Sequence, residues 1–221
     1  MSDEGRIAGV IFDLDGTLYR MTWVMRPLLT MKILPHILRL PRFLKIRQRF
    51  AGKEMGSRDE LLDAISEILA RSEKIPASQA KNWILESFYP AFISVMSVFR
   101  GSRSVATILE SLKNAGIKLA VLSDYAQVEE RMNGLGIAHS YFDLVTSSET
   151  AGALKPSPRP FLDIASKWGI SPDKILVVGD RNDTDGEAAR AAGMKFLKVN
   201  NRPASEGKTW NEAVEELKLL C

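Results

Sequence analysis

Val10-Ile11-Phe12-Asp13-Leu14-Asp15-Gly16-Thr17-Leu18-Tyr19 is the stretch on which the reading of this chain turns. The run from Ile7 to Phe12 is apolar apart from the small Ala8 and Gly9, the pattern of a strand buried on both faces. It stops at two aspartates and a glycine, so both carboxylates fall at the carboxyl end of a strand, the edge where open parallel sheets bind ligands. A regular strand would send Asp13 and Asp15 along its own pleat. A break at Gly16 instead lets both converge on one cation, Asp13 through its side chain and Asp15 through its backbone carbonyl. Two like charges this close require a cation or a shared proton.

The chain around this stretch is long enough, at 221 residues, for one large domain or two unequal ones. A net charge of +3 with 45% hydrophobic residues is the composition of an ordinary globular protein. Its one cysteine, Cys221, allows no internal disulfide and leaves no room for a prenylation pattern, so a reducing, cytoplasmic compartment is expected. The acidic start, Met1 to Arg6, runs straight into the aspartate stretch and does not read as a signal peptide. No run approaches the about 18 apolar residues of a membrane-spanning helix.

From Arg20 to Gly56 the character changes. Nine Lys or Arg stand against the single acid Glu54, a local charge of +8 that leaves −5 for the remainder. Apolar residues are interleaved at helical spacing, interrupted by Pro27, Pro35 and Pro41, which predicts two or three short basic amphipathic helices. Leu61, Leu62, Ile65, Ile68 and Leu69 predict a helix over 58–72 with Ser57 as its N-cap. Further helices are expected over 78–87 and 90–99, the second continuing the first past a kink or starting anew. From Gly101, strands and helices alternate: helix 104–115 closed by Gly116, strand 117–122 stopping at Ser123-Asp124, helix 127–135 closed by Gly136, strand 142–145, helix 159–168 closed by Gly169, strand 174–178 stopping at Gly179-Asp180, helix 184–192 closed by Gly193, and strand 195–199. A last helix over 209–220 would pack Trp210, Val214, Leu217 and Leu220. Five strands separated by helices predict a three-layer α/β fold with a parallel, Rossmann-like sheet, residues 1–19 and 100–221, interrupted by an all-helical cap at 20–99.

Three more places carry chemistry, and each has an ordinary explanation alone. Ser123 at a strand end could hold a phosphate oxygen or cap a turn. Lys155, in the proline-stiffened stretch Ala153 to Pro158, could neutralise phosphate or be solvated. Asp180, Asp183 and Asp185 crowd three carboxylates into six residues, which suits a hard cation such as Mg²⁺ or a solvated helix start. In this order, Asp13-Leu14-Asp15-Gly16-Thr17, Ser123, Lys155 and Asp180 with Asp185 resemble the four motifs of the haloacid dehalogenase superfamily over residues 6–19 and 100–199.

That resemblance implies a Mg²⁺-dependent phosphatase of phosphorylated small molecules. Asp13 would be the nucleophile that becomes an aspartyl-phosphate, and Asp15 the general acid and base. Asp13, Asp180 and the Asp15 carbonyl would hold the metal, and Thr17, Ser123, Asp124 and Lys155 would lie on the phosphate side. Asp183 and Asp185 would stand behind them, either one pointing inward. Asp124 departs from the asparagine common in relatives, and as an acid beside phosphate it is expected to turn away or meet a cap cation. Asp15 argues against the dehalogenases, which need no acid there. A phosphomutase, a phosphatase of lipid-linked phosphates and a non-catalytic binding module remain alternatives. For the basic segment three readings compete: a solvated cap that steers anionic substrates, a peripheral contact with anionic membrane, and nucleic acid, which is disfavoured because aromatic residues for stacking are few.

Overall fold

The computed structural model describes residues 6–20, 23–34, 36–99, 103–200 and 208–219. Its centre is a parallel sheet of six strands in the order β3-β2-β1-β4-β5-β6: β1 (Gly9–Phe12), β2 (Lys118–Ser123), β3 (Leu144–Ser147), β4 (Ile175–Gly179), β5 (Lys195–Asn200) and β6 (Lys208–Thr209). Five strands were expected; the sixth is a two-residue edge strand too short to leave a hydrophobic period in the sequence. β1, the aspartate-bearing strand, lies in the middle, with Phe12 in register with Val121 of β2 and Val178 of β4.

The strands read as continuous apolar runs because both faces are covered. Val10, Phe12, Leu119, Val121, Leu176 and Val178 enter one core; Ile11, Ala120, Leu122, Ile175 and Val177 enter the other, as the two-residue period of a strand dictates. Helices α6 (Arg103–Asn114), α7 (Val128–Leu135) and α10 (Trp210–Lys218) supply the first face, and α8 (Arg159–Trp168) and α9 (Glu187–Ala191) the second. Trp210, Val214 and Leu217 of α10 are buried as expected.

Between β1 and α6 stand α1 (Met25–Lys32), α2 (Arg39–Gln48), α3 (Arg58–Glu73), α4 (Ala77–Trp83) and α5 (Tyr89–Met96), the helical insertion. Pro27 and Pro41 sit in the first turns of α1 and α2 rather than between helices, where the missing N–H costs nothing. Ser57 caps α3 reciprocally with Glu60. α4 and α5 run on as one helix through a π turn, Ile84–Phe88, so the continuing alternative is the one observed. Pro35, Gly101 and Leu220, at three expected boundaries, lie outside the described residues. No helix among the described residues is long and apolar enough to cross a membrane.

Candidate active site

β1 delivers its aspartates by ending early. The Asp13 N–H still joins the ladder, donating to the Val178 carbonyl at 2.9 Å. Leu14 then turns into the core, and Gly16 takes a φ of +95°, a conformation open to glycine. A Cβ on Gly16 would stand 2.4 Å from Asp180 Oδ2, so glycine here also admits the Asp180 carboxylate. Gly179, just before that aspartate, does the same for Asp185, whose Cβ and Cγ would lie 2.6 Å from an added methyl. The two glycines bring the ends of β1 and β4 close enough to share one site.

In that site Asp13, Asp180 and Asp185 each place a carboxylate oxygen within 4.8 Å of the others. The Lys155 ammonium enters from the loop before α8 and donates to Asp13 Oδ1 at 2.8 Å and Asp185 Oδ1 at 2.7 Å. The Thr17 hydroxyl donates to Asp13 Oδ2 at 3.0 Å. Three carboxylates against one ammonium leave two negative charges. Burial, reinforced by Asp185, Asp15 and Asp180 and opposed by Lys155, pushes Asp13 well above the usual carboxylate range. Burial and Asp185 push Asp180 up to about 6. For Lys155, Asp13 and Asp185 outweigh burial and raise its pKa. Carboxylates forced together with an excess of two charges, in a space cleared by glycine, fit a hard divalent cation.

Asp15 is held differently. Arg131 of α7, fully buried, donates to both its oxygens at 2.8 Å, Ser123 Oγ donates to Oδ2 at 2.7 Å, and Tyr19 OH to Oδ1 at 2.8 Å. Burial alone would raise this carboxyl; the Arg131 charge and the hydrogen bonds from Arg131, Ser123 and Tyr19 overcome it and lower the pKa. Ser123 also accepts from Arg131 at 2.6 Å and from the Tyr125 N–H at 3.2 Å. Thr17 and Ser123 therefore grip aspartates from behind, and neither lines the cavity.

Asp124, expected on the phosphate side, accepts at its carboxylate from Ser148 Oγ and from the Lys155 N–H at 3.1 Å. An acid seeks donors, and here they are the loop that carries Lys155. Its backbone carbonyl meets the cap cation Arg47. Asp183 pairs with Arg181 at 2.6 Å and is exposed, whereas Asp185 is buried and points inward.

A cavity of about 750 Å³ opens over these groups, with Asp13, Asp15, Lys155, Asp180 and Asp185 on its floor and Arg26, Leu44 and Arg47 from the helical insertion above. Arg47 is pinned there: it donates to the wholly buried Glu149 at 2.6 Å and its guanidinium lies 4.3 Å from the Tyr125 ring. Arg58 of α3 donates to the same carboxylate at 3.2 Å, and the Tyr89 hydroxyl of α5 also binds it. The chain after α2 then pairs with the Lys155 loop, Gly52 N–H to the Leu154 carbonyl at 3.1 Å and Met55 N–H to Gly152 at 2.7 Å.

Arg131, Arg47 and Glu149 are residues that sequence reasoning missed. A signal existed for two of them. Val128, Arg131, Met132 and Leu135 form one buried stripe of α7, and Phe43, Ile46 and Arg47 one of α2. An arginine in an apolar stripe is a cation that must find a buried anion.

A family model described as haloacid dehalogenase-like hydrolase matches residues 7–193. The phosphoglycolate phosphatase of Aquifex aeolicus is 30% identical over 164 residues, 68% of this chain and 76% of that protein. Phosphatase MT3486 of Mycobacterium tuberculosis is 30% identical over 223 residues, 97% of this chain and 95% of its own. Among solved structures, the β-phosphoglucomutase of Clostridium difficile shares the fold with a TM-score of 0.64 at 21% identity, covering 96% of this chain and 97% of that one. With the parallel sheet, the helical insertion and the matched residues together, the chain belongs to the haloacid dehalogenase-like hydrolases and is a phosphatase.

Proposed function

We propose that this phosphatase hydrolyses a phosphate monoester through an aspartyl-phosphate on Asp13, with Mg²⁺ as cofactor. The observation that carries the reading is the Asp13–Lys155–Asp185 contact beside Asp180, two uncompensated charges at the carboxyl edge of the central strand. Asp13, Asp180 and the Asp15 carbonyl would hold the ion, with Asp185 behind them also orienting Lys155. Bound there, Mg²⁺ supplies the positive charge without which a carboxylate is repelled by a phosphate dianion.

Asp13 attacks phosphorus from the cavity floor while Lys155 draws the phosphoryl oxygens toward it. Asp15 gives a proton to the leaving oxygen, then takes one from the water that attacks the aspartyl-phosphate. Arg131, Ser123 and Tyr19 hold Asp15 as a carboxylate, the form the second step needs; the first needs the pair with Arg131 to loosen. Residues 20–99 act as the cap that closes over a phosphorylated small molecule, and residues 1–19 and 100–221 as the catalytic core. The named substrates of relatives, phosphoglycolate among them, are of this class. A cavity of about 750 Å³ has room for larger esters. A lipid-linked phosphate is the second reading, favoured by the apolar side chains that the cap exposes at Trp23, Met31, Leu34, Ile37 and Leu38.

Release of phosphate from a generic aryl phosphate with Mg²⁺ tests the chemistry. Asp13→Asn is expected to abolish turnover, a loss of at least about 10³-fold, with circular dichroism unchanged. Equal turnover by this variant would refute the nucleophile, and transfer of phosphate within a sugar phosphate without free phosphate would favour the mutase.

A further inference from the structure

The segment 23–34, with helix α1 at its centre, carries apolar side chains on two sides. Met25, Leu29 and Ile33, four residues apart, are buried, which is the single stripe an amphipathic cap helix requires. On the other side Trp23, Met31 and Leu34 are 85%, 69% and 62% exposed. Ile37 and Leu38, leading into α2, are also exposed, so five of the eight large apolar side chains exposed among the described residues lie within 23–38. Exposed apolar side chains gathered into one patch mark a surface that meets a partner or a lipid interface.

The charges around this corner are predominantly positive. From Leu38, the outward positions of α2 four, seven and eleven residues on are Arg42, Lys45 and Arg49, and Lys32 is exposed at the end of α1. Arg42 lies 3.6 Å from Glu73; Lys32, Lys45 and Arg49 have no acidic partner among the described residues. Beside the tip runs a groove of about 360 Å³ between Leu34 and Pro90, in which Glu86 is the one lining acid. A second copy of this chain would set two segments of charge +8 against each other, a like-charge contact that disfavours self-association. The partner that matches is negative at its surface and apolar just beneath.

We infer that the α1–α2 corner docks on an anionic phospholipid bilayer, with Trp23, Met31, Leu34, Ile37 and Leu38 entering the interface and Lys32, Arg42, Lys45 and Arg49 meeting the headgroup phosphates. Tryptophan suits that depth because its ring is apolar and its N–H stays wet. The remaining faces of the same helices carry Arg26, Leu44 and Arg47 into the active-site cavity, so the docked element is also the cavity wall. The inference is independent of the hydrolytic chemistry and holds for Asp13→Asn protein as for the active form.

The test sediments the full chain, active and Asp13→Asn, with vesicles of phosphatidylcholine alone or mixed with phosphatidylglycerol, while tryptophan emission is followed. The protein is expected to pellet only with the anionic vesicles, to be released by salt, and to show a blue shift from Trp23. Replacing Trp23, Met31 and Leu34 together by serine, all solvent-facing, should remove the shift and weaken binding at least about tenfold. Lys45→Glu with Arg49→Glu should weaken it by a similar factor, about tenfold. Both variants should retain wild-type hydrolysis of a soluble aryl phosphate. Protein left in the supernatant with anionic vesicles at low salt would overturn the inference, as would variants that bind like the wild type. So would dimers that the serine variant abolishes, or binding to heparin and vesicles alike without an emission shift.

Discussion

Asp180 and Arg131 show how neighbours set what a carboxyl can do. Burial and Asp185 oppose the charge of Asp180 and push its carboxyl up to about 6, and a metal binds only the ionised form. Mg²⁺ affinity should therefore rise as pH increases through about 6 and go on rising above it, because Asp13, the second carboxylate ligand, is also pushed well above the usual range; titration calorimetry below and above that value reads it, and Asp180→Asn should remove most of the affinity. An affinity flat across that interval would refute the assignment. Arg131 does the reverse for Asp15, keeping it ionised with two 2.8 Å contacts. Arg131→Met leaves the base misplaced and unpaired, so kcat should fall about 10²-fold. Because water activation suffers most, the leaving group should appear in a burst ahead of steady state. A uniform slowing without a burst would make Arg131 merely structural. Asp13, Asp15 and Asp180 were legible from strand-end positions, since a polar residue after a buried apolar run has few places to go; Lys155, in a loop, was legible only through its place in the order of the motifs. Arg131 was not, because helix α7 reaches Asp15 only after the sheet has been assembled.

Among elements, the join between the helical insertion and the sheet rests on Glu149, at the carboxyl end of β3. Arg47 from α2, Arg58 from α3 and Tyr89 from α5 all converge on it. Arg47 and Glu149 are both buried, so removing either charge strands the other. Glu149→Gln is expected to destabilise the fold by about 3–5 kcal/mol, and hydrogen exchange should quicken in α2 and α3 before the sheet. Unchanged exchange there would mean that apolar packing alone seats the insertion. The start of α3 followed from Ser57 as N-cap and from the spacing of its apolar residues, whereas α5 ends at Met96, short of the expected 99. The contact with β3 did not follow, because a lone glutamate after a strand carries no mark of its three partners.

The molecule as a whole has two cores divided by the sheet, and they are unequal. One lies against α8 and α9; the other runs from the opposite sheet face through α6, α7 and α10 into the insertion without interruption, joining Val10 and Phe12 to Phe43, Leu61 and Phe88. A shared core predicts that insertion and sheet unfold together. Urea transitions followed by far-ultraviolet circular dichroism and by tryptophan emission should coincide, and two separated transitions would contradict it. The sequence by itself determined the parallel α/β order, the position of the insertion and the strand ends that bear Asp13, Ser123 and Asp180, because period and end signals act between near neighbours in the chain. Only the tertiary structure decided that Asp185 rather than Asp183 faces Lys155, that Asp15 answers to Arg131, and that Glu149 gathers three helices. Those pairings join residues 30 to 116 positions apart, and they exist only once burial makes an unpartnered charge too costly to leave alone.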